Sequence, residues 1–104
     1  MSSPVPLPRA PLVVEGSYSF QIGGSERLGA ELALAFTARG YRVAVVSFYD
    51  AQGPTRDLLE ARGVRCVGFD FHGRRRIGRP LLQWRMYGWF ATERPHAVHF
   101  HHAL

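Results

Sequence analysis

The sequence reads GGSERLGAELALAFTARG between Gly23 and Gly40, and this run is typical of a glycine-rich loop that leads into a helix. Ser25 or Gly24 can cap such a helix, and Glu26 in the first turn suits the positive end of the helix dipole. Gly40 stands where a left-handed C-terminal cap is usual. Helical spacing predicts one apolar stripe that faces the core, formed by Leu28, Leu32, Ala35 and Phe36.

Gly23 and Gly24 are the first candidates for contact with a ligand. Neither has a Cβ, so the backbone there can adopt positive φ and come close to a bound group. The start of a helix also presents free N–H groups and a partial positive charge, which suits a phosphate. The alternative is a tight strand-to-helix turn that binds nothing, and this run by itself leaves both interpretations open.

The regions on either side of this helix alternate between strand and helix patterns. Apolar, partly β-branched runs predict four strands, over residues 11–15, 41–47, 64–68 and 97–101. A second helix is predicted over residues 55–62, with Pro54 before it and Gly63 closing it. Pro80 opens a third helix, whose apolar stripe is Leu82, Met86, Trp89 and Phe90.

This alternation indicates the fold class and the domain division. Strands separated by helices favour a parallel sheet with right-handed crossovers, so we expect an α/β fold of about four parallel strands with helices on both faces. Residues 1–10 contain Pro4, Pro6 and Pro8, which block regular pairing. We therefore predict a disordered lead over residues 1–10 and one domain over residues 11–104.

Polar residues collect after the predicted strands. They are the loop 16–24 after the first strand, Asp50 after the second, Asp70 and His72 after the third, and His101 and His102 after the fourth. In a doubly wound parallel sheet, ligands bind outside the carboxyl ends of the strands. The sequence therefore predicts a binding crevice at this edge of the sheet.

Histidines near the last strand raise the question of a metal site. His99 and His101 are predicted on one face of that strand, with Val98 and Phe100 on the other, because strand side chains alternate. No acidic or cysteine ligand stands at a diagnostic spacing beside them, so no metal is expected. We expect instead that one histidine is packed and another hydrogen-bonds in the crevice.

The sequence lacks the motifs that three classes of ligand require. A dinucleotide fingerprint needs G-x-G-x-x-G directly after the first strand, and Gly16, Gly23 and Gly24 do not have that spacing. A P-loop needs a lysine, whereas all 13 basic residues are arginine. No nucleic-acid-binding module is visible, and aromatic residues at helical spacing are usually core, so nucleic acid is not expected as a partner.

The net charge of +5 is concentrated in one short segment that contains Arg74, Arg75, Arg76 and Arg79. Such a cluster favours an anionic partner. The helix that follows carries Trp84, Trp89 and Phe90, so the segment could rest on an anionic membrane surface. The alternative is a solvated basic loop before a core helix.

The compartment is inferred from what the sequence lacks. Cys66 is the single cysteine and sits in an apolar segment, where we expect it to behave as a small buried hydrophobe. The first ten residues do not resemble a secretory signal, and no run approaches the ~20 apolar residues of a spanning helix. We expect a cytoplasmic protein that could contact a membrane peripherally.

Three motifs occur in the order and spacing of a known family. The run Gly23–Arg27 is similar to the family's Gly-Gly-Ser/Ala-Glu-Arg, and Ala38–Val46 is typical of the end of its first helix and its second strand. The run Arg94–His102 is similar to Pro-Asp-Val-Val-His-x-His-His at its fourth strand, with His96 where the family often has Asp. Over about residues 11–104 the chain resembles the N-terminal half of the first domain of a family 4 retaining glycosyltransferase.

This resemblance implies a Rossmann-like sheet that is an incomplete N-terminal domain, in an enzyme whose active site lies between two such domains. It implies that Gly23 and Gly24 lie near the donor diphosphate, and that His101 or His102 lines the cleft near the transferred sugar. The implied reaction moves a glycosyl group from a nucleotide diphosphate sugar to a hydroxyl acceptor, and it needs no cofactor. Without a second domain, the chain alone is not expected to be active.

A different class of function is a non-catalytic α/β module that binds an anionic ligand. A second αβ domain in the same protein would favour the enzyme over this module. If the strand order is 3-2-1-4, the fourth strand has an unpaired edge, through which the chain could associate with itself.

Overall fold

The computed structural model of the chain describes residues 10–17, 19–70 and 79–101. The elements in this part of the chain are β1 (Leu12–Ser17), α1 (Gly24–Ala38), β2 (Arg42–Ser47), α2 (Pro54–Ala61), β3 (Arg65–Gly68), α3 (Arg79–Glu93) and β4 (Ala97–Phe100). The predicted alternation of strand and helix is confirmed, with small differences at the element ends.

The four strands form one parallel sheet in the order β3-β2-β1-β4. β1 pairs with β2 along its whole length and with β4 from Val13 to Gly16, so β1 lies inside the sheet. The expected α/β class is found, and the strand order is the one that was assumed when self-association was considered. This order places the carboxyl ends of β2, β1 and β4 side by side.

Gly16 and Ser17 belong to β1, not to the loop in which the sequence pattern had put them. Gly16 pairs with Val46 on one side and with Phe100 on the other. A Cβ added at Gly16 would lie 2.6 Å from the ring of Phe100. Glycine here therefore makes room for a ring that packs across the sheet, and the chain does not turn until after Ser17.

Apolar clusters cover both faces of the sheet. One cluster brings α1 and α2 onto the first face and contains Phe20, Ala30, Ala33, Val45, Leu59 and Val64. The cluster on the other face contains Leu12, Val14, Ala44, Val46 and Phe69, with α3 packed against it. Successive β1 residues alternate between the faces, as strand geometry requires.

The apolar stripe predicted for α1 is wrong. Leu28 is 50% exposed and Ala35 is exposed, whereas Leu32 and Phe36 are only half-buried. The buried positions of the helix are Gly29, Ala30 and Ala33. Small residues hold these positions because they let the helix backbone lie close to the sheet, and larger side chains are left at the flanks.

The apolar stripe predicted for α3 is confirmed. Leu82 is buried, and Met86, Trp89 and Phe90 pack against the second cluster. Trp89 meets the ring of Phe69 edge-on, with 6.4 Å between ring centroids. α3 therefore covers its face of the sheet through large side chains, whereas α1 does so through small ones.

The glycines predicted to end the first two helices are found in that role. Gly40 has φ 90° after α1 and Gly63 has φ 79° after α2, so both occupy the left-handed conformation that favours glycine. The amide of Gly40 donates to the carbonyl of Thr37, and that of Gly63 to the carbonyl of Glu60. These two turns return the chain to β2 and β3.

Candidate functional site

The site is built on the carboxyl ends of β1, β2 and β4. β1 ends at Ser17 and leads into a loop that reaches α1 at Gly24. His101 directly follows β4, and its amide donates to the carbonyl of Gly16 at 2.9 Å, so it continues the pairing of β4 with β1. Asp50 comes soon after β2.

Asp50 holds the loop between β1 and α1. Its Oδ1 accepts hydrogen bonds from the Phe20 amide at 2.8 Å and from Ser47 Oγ at 2.9 Å. Its Oδ2 accepts one from Gln21 Nε2 at 3.0 Å. The carboxylate predicted to line the crevice is thus bonded to protein donors, and it acts on the site by fixing the loop.

α2 fixes the same loop from a second side. The amide of Thr55 donates to the carbonyl of Phe20, and its Oγ1 donates to the carbonyl of Gln21, both at 2.9 Å. Phe20 itself is fully buried in the first cluster. The start of α1 is therefore preceded by a rigidly held segment.

The start of α1 differs from the expected geometry. The N-cap is Gly23, with φ −167°, which is extended backbone, and no side chain caps the helix. Among the described residues, the glycines with positive φ are Gly40 and Gly63. Gly23 and Gly24 therefore do not use the left-handed freedom considered from the sequence, and neither Ser25 nor Gly24 is the N-cap.

Open space lies in front of Gly24. A Cβ added there meets no described heavy atom within 4 Å. The first intrahelical bond runs from the Arg27 amide to the Gly23 carbonyl at 2.9 Å, so by helix geometry the Gly24 amide has no partner within the helix. The start of α1 therefore offers open space beside a backbone N–H group and the positive end of the helix dipole.

Glu26 places a negative charge at the same helix start. Its Oε1 accepts a hydrogen bond from Ser19 Oγ at 2.9 Å. A Cβ added at Gly23 would run into Oε2 of Glu26, so this carboxylate lies over the N-cap. The negative charge of Glu26 would repel an anion bound here, and this repulsion offsets part of the attraction from the helix dipole.

His99 and His101 meet at the carboxylate of Glu15. Glu15 is on the central strand β1, is 0% exposed, and stands opposite His99 in the β1–β4 register. Its Oε1 lies 2.9 Å from His99 Nδ1, and its Oε2 contacts His101 Nε2. The prediction that both histidines share one face is confirmed, as is the expectation that one is packed, because the His101 side chain is only 9% exposed.

Sequence reasoning missed Glu15, which was treated as part of an apolar strand. A carboxylate in a strand predicted to be buried indicates that polar partners lie nearby, because such a group needs hydrogen bonds. Two histidines on one face of another strand were candidates for that partnership.

α1 reaches this histidine pair at Gly29. A Cβ added there would lie 3.0 Å from Ser17 Oγ and 3.1 Å from His101 Cδ2. His101 therefore lies beside the second turn of α1, on the side of the sheet that α1 covers. The structure brings the helix start and His101 to the same edge of the sheet.

His96 lies away from this group, at the amino end of β4. The Leu12 amide donates to His96 Nδ1 at 3.1 Å, and the His96 amide donates to the Leu12 carbonyl at 2.8 Å. Its side chain accepts the kind of hydrogen bond that an Asp could accept.

Several predicted residues lie outside the described part of the chain: His72, His102, Arg74, Arg75 and Arg76. Arg79 begins α3. Cys66 is half-buried, not fully buried as expected, although it packs against the first cluster. Burial raises the pKa of its thiol to about 11. In residues 10–17, 19–70 and 79–101, no three His, Cys, Asp or Glu side chains form a set that could hold a metal ion, and no helix is long and apolar enough to cross a membrane.

Comparison with known proteins identifies the chain at the family level. The family model described as Glycosyltransferase Family 4 matches residues 22–104, which include α1, the Glu15-contacting histidines and every later element. Neither the curated proteins nor the solved structures contain a match. Because the matched region covers most of the sequence, this chain belongs to glycosyltransferase family 4.

Proposed function

We propose that this protein takes part in transferring a glycosyl group from a nucleotide diphosphate sugar to a hydroxyl acceptor, with the donor diphosphate at the start of α1. Family membership supports the reaction class. One observation carries the location: at Gly24 an added Cβ meets no heavy atom of the described residues within 4 Å. Among these residues, no side chain stands between a phosphate and the backbone there.

The helix start would act mainly on the leaving group. N–H groups in the first turn can donate to phosphate oxygens, and the dipole favours their charge by roughly 0.3–2 kcal/mol. Negative charge grows on the diphosphate as the glycosyl bond breaks. Donors that are already oriented stabilise this developing charge without reorganising, which lowers the barrier.

His101 would act on the sugar side of the donor. It contacts the helix at Gly29, which lies about 7.5 Å beyond Gly24 along the axis at about 1.5 Å per residue. A sugar attached to a diphosphate at the helix start can therefore reach the imidazole. Hydrogen bonding between His101 and a sugar hydroxyl would orient the group that is transferred, and a nucleotide sugar needs no added cofactor for this step.

Amide chemical shifts of the ¹⁵N-labelled 104-residue chain test the location. Uridine diphosphate, guanosine diphosphate and inorganic pyrophosphate are titrated separately, with uridine as the ligand that lacks phosphate. We expect the diphosphates and pyrophosphate to shift the amides of Gly24, Glu26 and Arg27, and uridine to leave them unchanged. Shifts confined to residues 74–79 would instead assign phosphate binding to the arginine cluster and would contradict the proposal.

The non-catalytic module makes a different prediction for the same site. It would bind the anion at α1, but the full-length protein would not transfer sugar to any hydroxyl acceptor. Consumption of a panel of nucleotide diphosphate sugars, followed by release of nucleoside diphosphate, distinguishes the two. Binding without release across the panel would favour the module.

We also propose that α3 contacts an anionic membrane surface. The favourable observation is an exposed apolar group opposite the buried stripe of the helix, formed by Leu81, Trp84 and Tyr87, with Trp84 77% exposed. Trp89 and Phe90, which the sequence had suggested for this contact, are packed against the sheet instead. In sequence, Arg74, Arg75 and Arg76 precede this helix and Arg79 is its first residue. A cytoplasmic location beside a membrane remains a prediction.

A further inference from the structure

Glu15 is a carboxylate placed where the fold itself calls for an apolar side chain. It is fully buried in β1, between strands β2 and β4. Replacing buried ionic groups by well-packed apolar residues is often neutral or stabilising. Stability therefore gives no reason for a carboxylate at this position, and its contacts suggest another role.

Both carboxylate oxygens of Glu15 are used by imidazole rings, and the two rings use different nitrogens. His99 approaches Oε1 with Nδ1 at 2.9 Å, whereas His101 approaches Oε2 with Nε2. A buried carboxylate is satisfied when both partners donate to it. In neutral rings that both donate, His99 carries its one proton on Nδ1 and His101 carries its one proton on Nε2.

We propose that Glu15 is a positioning residue that fixes the ring orientation and the tautomer of His101. The unprotonated Nδ1 of His101 is then the nitrogen left to accept a hydrogen bond from a hydroxyl group. Only this last step, acceptance from a sugar hydroxyl, rests on the proposed function; the tautomer of His101 does not. In neutral histidine, the hydrogen bond made by one nitrogen commonly sets which nitrogen is protonated.

The surroundings leave the His101 ring little freedom. Its Cδ2 edge faces the backbone of Gly29 closely, since an added Cβ there would be only 3.1 Å away. His99 is held as well, because the Phe36 ring lies against it with 5.8 Å between centroids. His99 is 44% exposed and His101 is 9% exposed, so His99 forms the outer partner of Glu15 and His101 the inner one.

The direct test is a long-range ¹H–¹⁵N correlation spectrum of the histidine rings in the 104-residue chain at neutral pH. We expect His101 to show the pattern of a ring protonated at Nε2, and His99 that of a ring protonated at Nδ1. Opposite tautomers in one spectrum would be the signature of the shared carboxylate. A His101 ring protonated at Nδ1, or one that averages freely between tautomers, would overturn the proposal.

The variant Glu15→Gln adds a second readout. Glutamine has the shape of glutamate, but its side chain offers one acceptor and one donor group, so it cannot accept from both rings. We expect one of the two rings to change tautomer, whereas a side chain that only filled space would leave both tautomers as they were.

In the full-length protein, we expect Glu15→Gln to lower kcat roughly tenfold or more, as loss of an orienting partner does at other sites, while KM for the nucleotide sugar stays within about twofold. His101→Ala serves as the comparison. If His101→Ala lowers kcat and Glu15→Gln does not, positioning by Glu15 is wrong and the proposed function stands. If no transfer is found but the tautomers are as predicted, the proposed function fails and positioning of His101 stands.

Discussion

Gly29 shows how a single residue sets the distance between α1 and the site. Glycine inside a helix costs about 1 kcal/mol relative to alanine, so its presence there calls for another explanation. The space that a Cβ would occupy is bounded by Ser17 Oγ at 3.0 Å and His101 Cδ2 at 3.1 Å. The absence of a side chain lets the helix lie directly over the end of β1 and beside His101.

We therefore predict that Gly29→Val destabilises the chain by about 1–3 kcal/mol, the usual cost of overpacking. The matched control is Gly88→Val in α3, where an added Cβ meets nothing within 4 Å. It should change the free energy of unfolding by no more than about 0.5 kcal/mol. Urea unfolding of both variants provides the measurement, and equal losses would show that Gly29 is not packed as described.

At the scale of elements, α1 and α3 cover the two faces of the sheet in different ways. α1 buries the small residues Gly29, Ala30 and Ala33 and so comes close to the strands. α3 packs through Met86, Trp89 and Phe90 and leaves other large side chains on its far side. The donor site that we propose lies at the start of α1, the closer helix, and the large side chains on the outer surface of α3 are exposed.

For α3 we predict binding to vesicles that contain anionic lipid, through its exposed apolar group and the arginines before it. A variant of the full-length protein with glutamine in place of four arginines should co-sediment less with these vesicles, since each Arg contributes about 1 kcal/mol near an anionic surface. The four are Arg74, Arg75, Arg76 and Arg79. Trp84→Gln should weaken vesicle binding further.

Trp89→Phe is the control for this experiment, because Trp89 packs inside the protein. It should leave vesicle binding unchanged. Equal sedimentation of the native protein and the arginine variant would exclude the membrane contact.

At the scale of the whole molecule, the sheet has two outer strands, β3 and β4. Within residues 10–17, 19–70 and 79–101 no further strand pairs with β4, and Phe100 on this strand is largely exposed. Unpaired parallel edges invite pairing with another chain. The sheet therefore provides a route to self-association.

We predict that the 104-residue chain either associates through β4 or unfolds with a free energy below about 5 kcal/mol, the low end for native domains. Phe100→Lys should shift an associated form towards monomer, because a charge on an edge strand opposes pairing. Analytical ultracentrifugation over a range of concentrations, with urea unfolding, tests both. A monomer that is more stable than this at every concentration would contradict the prediction.

Periodicity in the sequence was sufficient to predict the strand–helix alternation and the shared face of His99 and His101, whereas the strand order entered only as an assumption. The two predicted features depend on local spacing and on general rules for parallel sheets. The buried face of α1 was not predictable in the same way, because alanine and glycine held the buried positions and the larger residues misled the pattern. The buried face of a helix is predicted from the positions of its large apolar side chains. The same pattern does not detect the buried face of a helix that packs through glycine and alanine.

The contact of Glu15 with the two histidines was also beyond the sequence pattern. It depends on the register between β1 and β4, which pairs Glu15 with His99 across most of the chain. Periodicity along a strand indicates the face on which each side chain lies, but not which residue of a distant strand stands opposite it. The role of Asp50 was obscured for a similar reason, because its partners Phe20 and Gln21 lie on a loop from another strand.

The measurement that bears most closely on the donor site is the dissociation constant of a nucleoside diphosphate for the full-length protein and its Gly24→Val variant. The variant should fold normally, since a Cβ at this position meets no heavy atom of the described residues within 4 Å. We predict at least a tenfold weaker complex, about 1.4 kcal/mol, because the added side chain would lie where we place the phosphates. Gly88→Val and His101→Ala should keep nearly native affinity, and His101→Ala should impair turnover only. A folded Gly24→Val variant with native affinity would show that the start of α1 is only a turn between strand and helix.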